Sequence, residues 1–140
     1  MKIDIPNEKR WVHEMLIPIR WGDMDAMGHI NNTVYFRYME TARIDWVTSL
    51  GLALDPAGEG IVIVNAFCNF IRQFEYPGTV LIRTYVSAPG RSSFDTWVTM
   101  ARAEQPEQIC ATGGATVVWI NTPAQKSAPL PARWRRQLVE

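Results

Sequence analysis

Tyr35, Tyr38, Met39, Ala42, Trp46 and Leu50 recur at three- and four-residue spacing in an otherwise polar stretch, the pattern of a helix with one buried face. Arg37, Glu40, Arg43 and Asp45 fall mainly on the remaining surface. Asn32 or Thr33 is placed to act as N-cap, and Gly51 as the left-handed residue past the last turn. The spacing therefore predicts about 17 helical residues from Thr33, ~26 Å at 1.5 Å per residue.

Elsewhere the period is two. Met15 to Arg20 reads as a short strand that Pro18, lacking an N–H, pushes to a sheet edge. Trp21 to Asn32 and Leu52 to Gly60 read as loops. Ile61 to Phe74 is a long strand-like run, followed by runs at Thr79 to Ser87, Ser92 to Glu104 and Gln108 to Asn121. The breaks between them, Tyr76-Pro77-Gly78, Pro89-Gly90 and Gln105-Pro106-Glu107, are turn signals. Gly113-Gly114 marks a bulge or a close backbone approach. Pro123 to Pro131 is loop-like, and Ala132 to Val139 reads as a short terminal helix whose Arg133-Trp134-Arg135-Arg136 cluster forms a solvated face. One helix packed on a five-stranded antiparallel sheet is the economical α+β solution. A single helix covers such a sheet incompletely, so pairing with a second copy is expected.

Composition narrows the function. The 140 residues suit one domain, 47% are apolar and 20% charged, and 14 basic residues balance 14 acidic ones. A balanced chain lacks the basic footprint of a nucleic-acid binder. No apolar run approaches the ~18–20 residues of a membrane span, and the N-terminus lacks the apolar core of a signal peptide. Cys68 and Cys110 fit no zinc spacing and no disulfide framework, which predicts free thiols in a reducing compartment, the cytoplasm. No metal or other cofactor is expected. With two histidines and no Gly-x-Ser-x-Gly elbow, a Ser-His-Asp hydrolase has little support, and no Rossmann or P-loop glycine pattern occurs.

Chemistry concentrates directly before the long helix, where Asp23, Asp25, Gly28, His29, Asn31 and Asn32 follow one another. The first turn of a helix has backbone N–H groups without internal acceptors, and its dipole favours negative charge. Asp25 is either a catalytic carboxylate beside that terminus or an Asx-turn acid. Asp23 reads as an organiser of the loop. His29 is a proton-transfer group or a brace. Gly28 allows close approach of a substrate carbonyl. Asn31 and Asn32 can cap the helix. Tyr35, Phe36 and Met39 read as core residues or as the lining of an acyl pocket.

Arg20-Trp21-Gly22-Asp23-Met24-Asp25-Ala26-Met27-Gly28-His29-Ile30-Asn31-Asn32, with Tyr35 and Tyr38-Met39-Glu40-Thr41-Ala42-Arg43, resembles the hotdog-fold acyl-CoA thioesterases, and more narrowly the 4-hydroxybenzoyl-CoA thioesterase-like branch. The resemblance implies a hotdog fold over residues 1–140, its sheet wrapped around the long helix. It implies that Asp25 is the catalytic carboxylate, as general base or nucleophile, and that the Asn32 backbone N–H polarises the thioester carbonyl. Arg91, after Pro89-Gly90, is similar in position to basic residues that meet CoA phosphates. Gly-His-Ile-Asn-Asn is the variant common among family members of broad or fatty-acyl preference.

The expected function is thus hydrolysis of an acyl-CoA to an acid and free CoA, by a cytoplasmic homodimer or homotetramer with no nucleic-acid or membrane partner. Two other readings differ in their chemistry. A hotdog enoyl-CoA hydratase or dehydratase would use an Asp and a His, but with an Asn-Pro step that is absent here. A non-catalytic acyl-CoA sensor would bind without turnover.

Overall fold

The computed structural model describes residues 1–51 and 54–139. Six strands, β1 (Arg10–Pro18), β2 (Glu59–Phe70), β3 (Thr79–Ser87), β4 (Ser93–Arg102), β5 (Ile109–Asn121) and the two-residue β6 (Lys126–Ser127), form one sheet. Its order is β1-β3-β4-β5-β2, with β6 beside β5, and every pairing is antiparallel. Helix α1 (Asn32–Ser49) lies on one face and α2 (Ala132–Val139) closes one end.

The period-2 pattern decides which face α1 meets. Val80, Ile82, Thr84 and Val86 on β3 and Phe94, Thr96, Val98 and Met100 on β4 are buried, as alternation on a one-side-covered sheet requires. Tyr35, Tyr38, Met39, Ala42 and Trp46 of α1 are buried against them, and Val47 joins them, whereas Leu50 is half-buried. The glycine pair on β5 marks close approach. A Cβ on Gly113 would stand 2.5 Å from Met39 Sδ, and one on Gly114 2.7 Å from the Phe67 ring. The register shifts of β5 lie opposite Ile63/Asn65 and Met100/Ala101 instead.

Several boundaries differ from the sequence expectation. β1 begins at Arg10, five residues before Met15, because pairing with β3 carries its polar half: Glu14 meets Arg83 at 3.2 Å, and His13 Nε2 lies 2.7 Å from Asp45 Oδ2 on α1. Pro18 does close this edge strand. β2 starts at Glu59 and stops at Phe70, leaving Ile71 to Phe74 as a return segment docked under α1. Of the loop expected from Leu52 to Gly60, Leu52 and Ala53 lie outside the described residues, and Glu59 and Gly60 belong to β2. The supposedly loop-like tail carries β6, and the loop before α1 contains a 3₁₀ turn, Trp21–Asp23.

The terminal cluster is also not simply a solvated face. Trp134 is fully buried, its ring 5.6–5.7 Å from those of Trp46, Phe94 and Trp119. Arg135 donates to the carbonyls of Gly90 at 2.6 Å and Arg91 at 3.1 Å. Amphipathic spacing turns one Trp of a basic run inward while its neighbours remain at the surface. Arg43, expected at the surface, is half-buried with no hydrogen-bond partner for Nε among the described residues, and burial lowers its pKa. Cys68 is half-buried and Cys110 buried, both free; burial pushes the Cys68 thiol up to about 11. No helix among the described residues is long and apolar enough to cross a membrane.

Trp134→Ala removes the centre of that aromatic cluster. It should cost about 3–5 kcal/mol, the usual range for a buried aromatic truncated to Ala, read as a lowered urea midpoint at unchanged slope.

Candidate active site

The residues from Arg20 to Asn32 fold back on themselves before entering α1. Met24 and Ile30 form a bridge, Gly28 N–H donates to the Asp25 carbonyl at 3.1 Å, and Asp25 N–H donates to the His29 carbonyl at 2.7 Å. Gly28 holds φ +77°, the left-handed region that glycine enters without strain. No protein atom lies within 4 Å of where its Cβ would be, so that side is open.

The two acids have separate partners. Asp23 Oδ2 accepts from the Arg20 N–H at 2.9 Å and from the Tyr38 hydroxyl at 2.7 Å, while its carbonyl accepts from Asn31 N–H at 2.9 Å. Asp23 thus ties the loop to α1. Burial first, then the hydrogen bond to Asp23, raises the Tyr38 pKa well above its ordinary value. Asp25 is exposed. Its Oδ1 accepts from Met27 N–H at 2.9 Å and His29 N–H at 3.3 Å. That is an Asx-turn, yet it occupies one oxygen only; Oδ2 has no protein donor among the described residues.

Asn31, not Asn32 or Thr33, is the N-cap. Its Oδ1 accepts from the Thr33 N–H at 3.0 Å, and its carbonyl from the Val34 N–H at 2.9 Å. The one-residue shift puts Asn32 at the first helical position, where its N–H has no intrahelical acceptor and no hydrogen-bond partner among the described residues. Asp25, His29, Asn32 and Tyr35 line one pocket of about 300 Å³. Tyr35 is both core and lining: it is 3% exposed, and burial raises its pKa. Met39 is core, and Phe36 is exposed.

Two further lining residues, Phe70 and Gln73, come from the end of β2 and the segment after it. The Phe70 ring meets Tyr35 edge-on at 4.8 Å, and the Phe74 carbonyl accepts the Ile30 N–H at 3.0 Å. Reading Ile61 to Phe74 as one strand hid them; the polar Arg72-Gln73 pair was the signal that the strand had ended. Glu75 follows, with Oε1 3.6 Å from His29 Nε2. Arg91 is not at this pocket. It sits in the β3–β4 turn, where its carbonyl accepts from Arg135 of α2, the helix whose Trp134 packs on Trp46 in the later turns of α1. Larger hollows at Lys2–Asn7 and at Arg72/Gln105–Ile109, of about 490 and 710 Å³, contain neither a histidine nor a helix start.

One long helix packed on an antiparallel sheet is the architecture of the hotdog-fold thioesterases. The chain belongs to the thioesterase-like superfamily, which matches residues 19–138. The PA2801 protein of Pseudomonas aeruginosa, a proposed thioesterase, is 35% identical and superimposes with a TM-score of 0.87, covering 91% of this chain and 98% of that one. XC229 of Xanthomonas campestris, a proposed acyl-CoA thioesterase, is 28% identical (TM-score 0.77; 86% and 100% covered). The gentisyl-coenzyme A thioesterase BH1999 is 25% identical (TM-score 0.78; 88% and 99% covered). The chain is a thioester hydrolase of the hotdog fold.

Tyr38 and Tyr35 keep their protons in the folded chain at pH values where the unfolded chain, with tyrosines near 10, has begun to lose them. The folded state then binds more protons, so this contribution is fully present below pH ~10 and is lost as pH rises beyond it. Tyr38→Phe should flatten that alkaline loss of stability, measured by urea titration between pH 8 and 11. At neutral pH it should cost about 1.5–3 kcal/mol for the bond to a charged acceptor.

Proposed function

We propose that residues 1–140 act as one acyl-CoA thioesterase domain, hydrolysing R–CO–S–CoA to a carboxylic acid and free CoA. The observation that carries this reading is the convergence of the Asp25 carboxylate and the unpaired Asn32 N–H on one pocket. A thioester carbonyl set against that N–H gains a donor for the oxyanion, strengthened by the positive end of α1. Asp25 Oδ2, free of protein donors, is the oxygen available to activate water or to attack the carbonyl. Gly28 leaves open the space beside the reacting carbon, and His29 braces the carboxylate through its backbone. Tyr35, with Ile30 and Phe70, offers the acyl group an apolar wall. The acyl-CoA and gentisyl-coenzyme A thioesterases among the similar structures support a CoA thioester as the substrate class.

The reading includes a homodimer or homotetramer. β2 is a sheet edge whose Val62, Ile63 and Val64 are exposed at 37–58%, and an open apolar edge strand favours pairing. The pocket draws Phe70 from the end of that strand and Gln73 from the segment after it, which supports a site close to such a boundary. An Arg91 contact to the CoA phosphates would come from the β3–β4 turn of a second copy, since the chain's own Arg91 does not line the pocket. The free Cys68 and Cys110 support a reducing, cytoplasmic setting.

Thiol release from a panel of alkyl and aroyl CoA esters tests the activity. Asp25→Asn should lower kcat about 10²–10⁴-fold with the fold retained; an unchanged kcat removes Asp25 from the chemistry. Asp23→Asn should act mainly through stability, and a folded but inactive Asp23→Asn protein would reverse the roles of the two acids.

Asn32→Ala should keep much of the activity, since the donor is the backbone. Asn32→Pro deletes the N–H at the one helical position where proline fits well, and should lose about 10²–10³ in kcat. Circular dichroism checks its fold, and normal turnover in the folded proline variant would sink the helix-terminus mechanism. Light scattering should show at least a dimer; a species of 15.9 kDa alone would overturn the assembly.

A further inference from the structure

We propose that Glu75 is a positioning residue that holds the His29 ring in the pocket, an inference that rests on the thioesterase reading above. His29 is fixed to Asp25 twice through its backbone, its N–H donating to Asp25 Oδ1 at 3.3 Å and its carbonyl accepting the Asp25 N–H at 2.7 Å. His29 lines the pocket, and its Nε2 stands 3.6 Å from Glu75 Oε1, longer than a direct hydrogen bond and within reach of an ion pair whenever the ring carries a proton. A pair between groups this exposed contributes little to stability, so its consequence is orientation.

The surrounding backbone holds the pair together. His29 and Glu75 each stand one residue from the Ile30 N–H to Phe74 carbonyl bond of 3.0 Å, and both Ile30 and Phe74 are buried. On the far side, Arg102 on β4 donates from Nη1 to the Glu75 carbonyl at 3.2 Å and from Nη2 to the Pro77 carbonyl at 2.7 Å. Glu75 is therefore carried on a segment clamped at both ends. Its carboxylate is presented to the imidazole of a loop that cannot slide away. Asp25 on the same loop and Tyr35 on α1 share the pocket with His29, and Arg102 stands behind Glu75. With Nε2 turned to the carboxylate, the other ring nitrogen is left for water or substrate.

Glu75→Gln tests this without disturbing the clamp, because Arg102 bonds to backbone carbonyls. The chain has two histidines, and His13, paired with Asp45, is the internal control. In nitrogen-detected NMR of the substrate-free protein, the His29 ring signals should move in Glu75→Gln while those of His13 stay. With an acyl-CoA, kcat should fall about 10-fold at little-changed KM, below the ~10²–10⁴ of a positioned proton-transfer group. In a His29→Ala background the same substitution should cause no further loss. Unmoved His29 signals overturn the proposal, as does an equal loss of kcat in both backgrounds. If the wild-type protein released no thiol from any acyl-CoA, the thioesterase reading would fall, and the NMR result would still decide whether Glu75 holds the ring.

Discussion

Met39 reaches the sheet only because residue 113 carries no side chain. A Cβ on Gly113 would stand 2.5 Å from the Met39 sulfur and 2.8 Å from the Phe67 carbonyl oxygen of β2, so the bare backbone of β5 leaves room for both. That seat sets the depth of the helix, and the helix sets everything at its start. Tyr35, one turn before Met39, is pressed against Phe70 and Phe74. Asn32, seven residues before Met39, is delivered to the mouth of the pocket at the end of β2. A side chain at 113 would displace the Met39 thioether and press on the Phe67 carbonyl, disturbing the pairing of β5 with β2 beneath the helix.

Two aspartates separated by one residue have acquired opposite roles from their surroundings. Asp23 turns toward α1, where the Tyr38 hydroxyl and the Arg20 N–H take up one of its oxygens. It is spent on holding the loop closed. Asp25 turns toward solvent and satisfies two N–H groups of its own loop through one oxygen, so the turn that fixes its direction also leaves its second oxygen free. The same residue type at i and i+2 thus yields a brace and a carboxylate with one oxygen left free, separated by burial and by the supply of donors.

The far end of α1 is built on different principles. There Trp46, Phe94, Trp119 and Trp134 pack ring against ring, and α2 is held on the outside by Arg135 bonding to the β3–β4 turn. This end is held by ring packing, and the Trp134 Nε1 donor is buried there without a hydrogen-bond partner among the described residues. Stability is concentrated at one end of the molecule and polar chemistry at the other, with the α1 core between them.

The sequence by itself determined the helix, its buried face, the antiparallel strands and the loop that bears the acids, because each is written in local spacing: three and four residues for α1, two for the strands, glycine and proline between them. The family motif located Asp25, Gly28, His29 and Asn32 together for the same reason, since they are neighbours along the chain. Phe70, Gln73 and Glu75 were not legible, because they come to the loop from about 40–45 positions away through the pairing of β2 at the sheet edge, and no local pattern encodes that distance. Trp134 was mistaken for part of a solvated face because its burial depends on rings contributed by α1, β4 and β5. Arg91, grouped with the site by resemblance, does not line the pocket within one chain. The choice of Asn31 as cap was settled in three dimensions too: Asn31, Asn32 and Thr33 all have capping side chains, and the Asp23 carbonyl holding the Asn31 N–H decided which residue turns the chain into α1.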